Sequence, residues 1–149
     1  MNSPLRLDAY RIDRLLLEAN QEFDGRDEFT GTIDVDPEHL RHTEQEDAHQ
    51  LTLTVSFGPV DDDPTGAPYT GEIVGRAFFH LGSEDLEQAE KTRLVIVNGG
   101  AILYGLLRAQ IAQVTALSHF GTFLLPPVNL VEAFRAKWEA AQPPHQDPE

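Results

Sequence analysis

The nearest thing to a chemical motif in this chain is a calcium-loop spacing. Asp61, Asp63, Thr65, Gly66 and Glu72 stand at positions 1, 3, 5, 6 and 12 of the loop in which oxygen ligands wrap a hard cation. That loop needs helices on both sides, whereas the residues flanking this one alternate apolar and polar as strands do, and Pro64 and Pro68 stiffen it. The expectation is therefore a hairpin turn without metal. His39, His42 and His49 cluster in an acidic connection, and an i, i+3 pair of imidazoles can share a metal ion. No helix or strand is predicted there to orient them, so they read as solvated surface histidines. His80 and His119 each stand beside a phenylalanine and read as packing residues. Asn98-Gly99-Gly100, at a predicted helix start, has backbone N–H groups that could converge on a phosphate, but no lysine follows within a turn. Ser118 next to His119 lies outside any nucleophile elbow, and the chain has no cysteine. These residues assemble no active site, and the expectation is a non-enzyme without cofactor or metal. The alternative from another class is a small metal-dependent enzyme using Asp61, Asp63 and Glu72, or the histidine cluster.

The elements that would hold such residues follow from periodicity. Leu51, Leu53, Val55 and Phe57 alternate with Thr52, Thr54 and Ser56, which predicts a half-buried strand over Gln50 to Gly58. Tyr69 to Leu81 returns as its hairpin partner, with Ile73, Gly75, Ala77 and Phe79 on one face. Gly31 to Asp36 is predicted as another strand, and Pro37 to Ala48 as a polar surface connection. Leu5 to Phe23 is ambiguous: Leu5, Ala9, Ile12, Leu16 and Ala19 fit a helix, while Tyr10, Ile12 and Leu16 alternate. Ser83 to Asp85 opens a short acidic helix or turn. Asn129 with Glu132 begins a C-terminal helix carrying Leu130, Val131, Phe134 and Trp138, and residues 143–149 form a polar, proline-rich tail expected to be disordered after a single domain over 1–142.

The net charge is −14, and residues 1–63 hold 16 Asp and Glu against 5 Arg. Such a field disfavours nucleic acid and suits a basic partner or plain solubility. No cysteine means no disulfide framework, the N-terminus lacks a signal-peptide apolar region, and no window is expected to reach membrane-spanning length, so a cytoplasmic protein without membrane insertion is expected.

The remaining stretch, Asn98 to Asn129, organises the chain. Asn98 is the expected N-cap of a long helix in which Ile102, Leu103, Leu106, Leu107, Ile111, Val114 and Leu117 recur at helical spacing. Gly105, Ala109, Ala112 and Ala116 form a second stripe almost without side chains, a face suited to a helix of a neighbouring protomer. The loop Phe120 to Val128 then carries two phenylalanines, two leucines and a valine, a composition loops usually avoid.

Here the chain resembles the protein-export chaperone SecB and its SecB-like relatives. Ala101-Ile102-Leu103-Tyr104, Arg108, Phe120, Leu125 and Pro127-Val128-Asn129 look like that family's helix, helix-connecting loop and second-helix start. The likeness runs from about Tyr10 to Phe134, with Gly105 where the family usually has proline and Arg108-Ala109 where it usually has Arg-Glu. It implies an α+β protomer: a four-stranded antiparallel sheet whose first strand spans roughly Tyr10 to Leu17, one long helix and a shorter C-terminal helix, assembled as a homotetramer, a dimer of dimers. It also implies an ATP-independent chaperone that binds unfolded preproteins for export, or an antitoxin in a toxin–antitoxin system. The client groove would be lined by Phe23, Phe29, Tyr104, Phe120, Phe123, Leu125 and Val128, with Phe120 and Phe123 facing one groove and contributing contact more than stability. Asp13, Glu18 and Glu72 would be the acidic residues that dock the translocase motor SecA.

Overall fold

The computed structural model describes residues 4–42, 45, 47–82 and 85–141, with side chains up to residue 135; Trp138 as a side chain and the tail 143–149 lie outside the described residues. Four antiparallel strands, β1 (Leu5–Ala19), β2 (Gly31–Arg41), β3 (Ala48–Pro59) and β4 (Tyr69–Leu81), form one sheet in the order β1-β4-β3-β2. Helices α1 (Gln88–Leu94), α2 (Gly100–Thr115) and α3 (Leu130–Ala141) follow, so the chain is α+β as expected.

β3 and β4 supply the core because their alternation is strict. Leu51, Leu53, Val55, Ile73, Ala77 and Phe79 are fully buried beneath the helix, while Thr52 and Thr54 face the other way. β1 resolves the ambiguity at Leu5 to Phe23 and is longer than expected. Its register shifts twice, between Leu7 and Ala9 and between Ile12 and Arg14. Each bulge inserts one residue. Leu5, Leu7, Tyr10, Ile12, Leu15 and Leu17 therefore oppose the helix-facing positions Leu81, Phe79, Ala77, Gly75, Ile73 and Gly71. Alternating steps of two and three residues imitate helical spacing on a strand.

β2 also runs further than expected, through Pro37 to Arg41, so the first part of the predicted polar connection is strand. β2 is an edge strand, and an edge tolerates a proline and a row of outward carboxylates, here Asp34, Asp36 and Glu38 opposite Ser56, Thr54 and Thr52.

Asn98 does not cap the long helix. A π-helical turn, Val95–Gly99, joins α1 to α2, and the Gly100 N–H is already bonded to the Ile96 and Val97 carbonyls. The glycine pair therefore offers no phosphate cradle. The continuous helix Gln88–Thr115 is 28 residues long, enough by length and composition to cross a membrane, contrary to the expectation from the sequence. A soluble core helix meets the same criteria, and here Leu103, Leu107, Ile111 and Thr115, four residues apart, are buried against the sheet. The approach is close at Gly75, where a Cβ would lie 2.5 Å from Leu107 Cδ2. α3 begins as expected, with the Glu132 N–H donating to Asn129 Oδ1 at 3.2 Å.

Candidate functional site

The loop between α2 and α3 is held down by side chains from two elements, α2 and β4. At the end of α2 the Thr115 hydroxyl donates to the Ile111 carbonyl at 2.7 Å and accepts the Phe123 N–H at 2.8 Å. The Tyr69 hydroxyl, from the first residue of β4, accepts the Phe120 N–H at 2.9 Å and donates to the Gly121 carbonyl at 2.8 Å. Gly121 itself sits at φ +78°, where a side chain would be strained. Tyr104 donates to the Pro126 carbonyl at 2.6 Å, and Arg108 Nε donates to the Leu125 carbonyl. Burial raises the Tyr104 phenol to about 12, so this donor stays protonated. Arg108 thus finds a backbone partner in a chain whose next residue is Ala109. Sequence reasoning missed Tyr69 and Thr115: a strand tyrosine and a helical threonine carry no signal until the loop lies over them.

Clamped this way, the loop divides its apolar residues. Phe123 is 5% exposed and Leu125 is fully buried; Tyr104 is buried as well. The Phe123 ring lies 4.8 Å from Phe29, 5.8 Å from Phe57 and 5.9 Å from Tyr69. This corrects the expectation that Phe120 and Phe123 face one open groove: Phe123 completes the core at the end of the sheet. Phe120 remains half-buried at the rim, edge-on to Phe23 at 5.2 Å and to His119 at 4.5 Å. Phe23, Phe29 and Val128 are also half-buried, while Leu124 is 55% exposed. The loop between β1 and β2 and the loop between α2 and α3 therefore meet along an apolar seam with one wet side.

The predicted partner acids share the opposite face of the sheet but are largely answered by the chain's own arginines. Asp13, at the second bulge of β1, lies 3.0 Å from Arg76, and Glu72 lies 3.6 Å from Arg14. Glu18 stands beside Glu72 in a shallow hollow with Leu16 and Thr70. On α2 the stripe is open to solvent within the protomer: Gly105, Ala109 and Ala116 are exposed and Ala112 half-buried, flanked by exposed Ile102 and Leu117.

The metal candidates are not brought together. Asp63 is held by Arg26 at 2.8 Å and by the Thr65 hydroxyl at 2.7 Å, Asp61 points to solvent, and Glu72 belongs to the sheet face. Arg26 also grips Asp24, whose carboxyl it holds down at about 2. Among the described residues, no group of three or more His, Asp or Glu is placed to hold a metal. The histidine expectation needs correction too. His39 and His49 face each other across β2 and β3, with His39 Nε2 and His49 Nδ1 2.9 Å apart and the rings stacked at 5.2 Å. His49 is 3% exposed, and burial first, then His39, Arg41 and Lys91, hold its imidazole down at about 4 despite Asp47. His42 Nδ1 accepts the Gln45 N–H, and His80 pairs with Asp8.

No protein-family model matches the chain, and no curated protein matches its sequence. Solved structures that resemble the chain include the following two. A protein of unknown function from Streptococcus agalactiae has a TM-score of 0.49 at 13% identity, covering 83% of this chain and 97% of that one. A SecB-like chaperone of Mycobacterium tuberculosis, solved in complex with a ChAD peptide from an antitoxin, has a TM-score of 0.66 at 15% identity, covering 83% of this chain and 90% of that one. The order of strands, the long helix over one face of the sheet and the short C-terminal helix give this chain a SecB-like fold.

Proposed function

We propose that this chain is an ATP-independent, SecB-like chaperone that holds non-native polypeptide segments by apolar contact. The observation that carries the reading is the seam between the two loops, where Phe23 packs on Phe120 and Phe29 on Phe123 and the half-buried Phe23, Phe29 and Phe120 present partly wet apolar surface. Burial of such surface is favourable at roughly 25 cal/mol per Å² and needs no sequence-specific readout. The fold likeness to a chaperone bound to an antitoxin peptide supports an antitoxin as one client alongside unfolded preproteins. Export through SecA is the further role; Glu18 is then its principal contact, because Asp13 and Glu72 already face Arg76 and Arg14. The assembly proposed is a cytoplasmic homotetramer in which the Gly105, Ala109, Ala112 and Ala116 stripe meets its counterpart on a neighbouring helix.

The test is light scattering from a chemically denatured client diluted into buffer with and without the protein, in the absence of nucleotide. Suppression of aggregation is expected at near-stoichiometric ratio, and Phe120→Ala, on the wet side of the seam, should weaken it while the fold survives. Aggregation proceeding unchanged beside folded wild-type protein overturns the reading.

A further inference from the structure

A second apolar cleft lies away from that seam, between the first half of the long helix and α3. Its volume is about 480 Å³, and it is lined by Ile96, Val97, Val131 and Phe134 together with Gln88, Ala89 and Thr92. Among the described residues, the charged groups in the lining are Arg93 and Arg135. Neither forms an ion pair with a carboxylate among the described residues. In a chain of net charge −14 that sets them apart from the five cations that neighbouring acids take up: Arg6 by Asp8, Arg14 by Glu72, Arg26 by Asp24 and Asp63, Arg76 by Asp13 and Lys91 by Asp47.

We infer that this cleft takes an apolar peptide segment flanked by acidic residues, whose carboxylates pair with Arg93 and Arg135. This deepens the chaperone reading and rests on it. Two electrostatic effects compete. The negative field of the whole chain favours basic segments on approach, but it is screened over about 8 Å at physiological ionic strength. Once a segment is seated, the groups within a few ångströms decide, and those are two guanidinium forks shaped for carboxylates. Glu87, just before α1, Glu90 on α1 and Glu132 on α3 lie outside the cleft lining, so they act on the approach more than on the seated segment. The apolar floor supplies affinity and the arginines select what flanks it, the division of labour expected where a segment lies in a groove between helices.

The experiment uses the full chain and two labelled peptides with the same apolar centre, one flanked by aspartates and one by lysines, read by fluorescence anisotropy. The aspartate peptide should bind about tenfold tighter, a preference worth ~1.4 kcal/mol, and the gap should narrow as salt rises. The double change Arg93→Glu with Arg135→Glu should reverse the order. Both arginines are exposed, so the variant is expected to fold, and Arg93→Gln with Arg135→Gln, which abolishes the preference without adding charge, guards against misfolding. Methyl shifts at Ile96, Val97 and Val131 place the peptide in the cleft. Equal binding of both peptides, or an order unchanged by charge reversal, overturns the inference. If neither peptide binds while denatured clients are still held, the inference fails and the chaperone reading survives; if no client is held at all, both fall.

Discussion

Two hydrophobic regions of this protein, the loop after α2 and the outer face of α2, end in opposite environments. The loop Phe120 to Val128 has no regular structure, yet it puts Phe123 and Leu125 into the core. The helix face, from an element whose inner side builds that core, leaves Ile102 exposed, with Leu117 at 96% just past its end. Irregular backbone can cover a core when its polar groups are answered, and Tyr69, Tyr104, Arg108 and Thr115 answer them here. A helix satisfies its own backbone, so it can leave a face bare for another protomer. Burial therefore follows hydrogen-bond supply rather than regularity of the backbone.

The sharpest way to break this contrast is to truncate inside the loop. Phe123→Ala should cost about 3–5 kcal/mol, a drop in melting temperature of roughly 6–20 °C for a domain near this size. Phe120→Ala, with one wet side, should cost less than half as much. Equal and small losses for the two, measured by thermal unfolding, would place both rings in an open groove after all.

The next largest effect concerns the pair of buried His49 and half-buried His39 that ties β2 to β3. The folded chain holds the His49 imidazole down at about 4, against an ordinary value of 6.5, so the unfolded chain binds a proton that the folded one refuses. His39 is lowered as well, by burial and by Arg41. Stability should be unaffected by His49 above about pH 7, fall as pH drops from about 6.5 toward 4, and lose no more to it below that. Replacing His49 by Gln should flatten that part of a melting-temperature profile; an unchanged slope would show that the pair does not titrate on folding.

On the helix side of the contrast, Ala112→Glu should change the protomer's stability by less than about 1 kcal/mol, since the face is open within it. It should nevertheless split a helix-mediated assembly, read by light scattering. A wild-type monomer would mean the bare face serves another partner. The smallest expected effect is none: millimolar calcium should leave the melting temperature unchanged, because Asp63 is committed to Arg26 and Thr65. A calcium shift abolished by Asp63→Ala would restore the metal reading.

Much of the fold was legible in the sequence because its signals are local. Strict alternation over Leu51 to Phe57 and over Tyr69 to Leu81 specifies strands buried on one face, and the four-residue recurrence of Leu103, Leu107 and Ile111 specifies a helix lying on them. Asn129 capping the Glu132 N–H is likewise a contact within one turn. Tertiary structure alone decided what depended on distant partners. Two bulges made the periodicity of β1 look helical; the family resemblance implied a strand over Tyr10 to Leu17, and the pairing with β4 shows how far it runs and where the bulges fall. Pro37 and His39 became strand because β3 pairs with them, and that pairing set half-buried His39 against buried His49, two histidines expected to be solvated. Phe123 and Phe120, three residues apart and alike in composition, were separated by Thr115 and Tyr69, which take hold of their backbone N–H groups from elsewhere in the chain. A sequence states which side chains want burial; which of them obtain it depends on where the rest of the molecule puts donors, acceptors and empty volume.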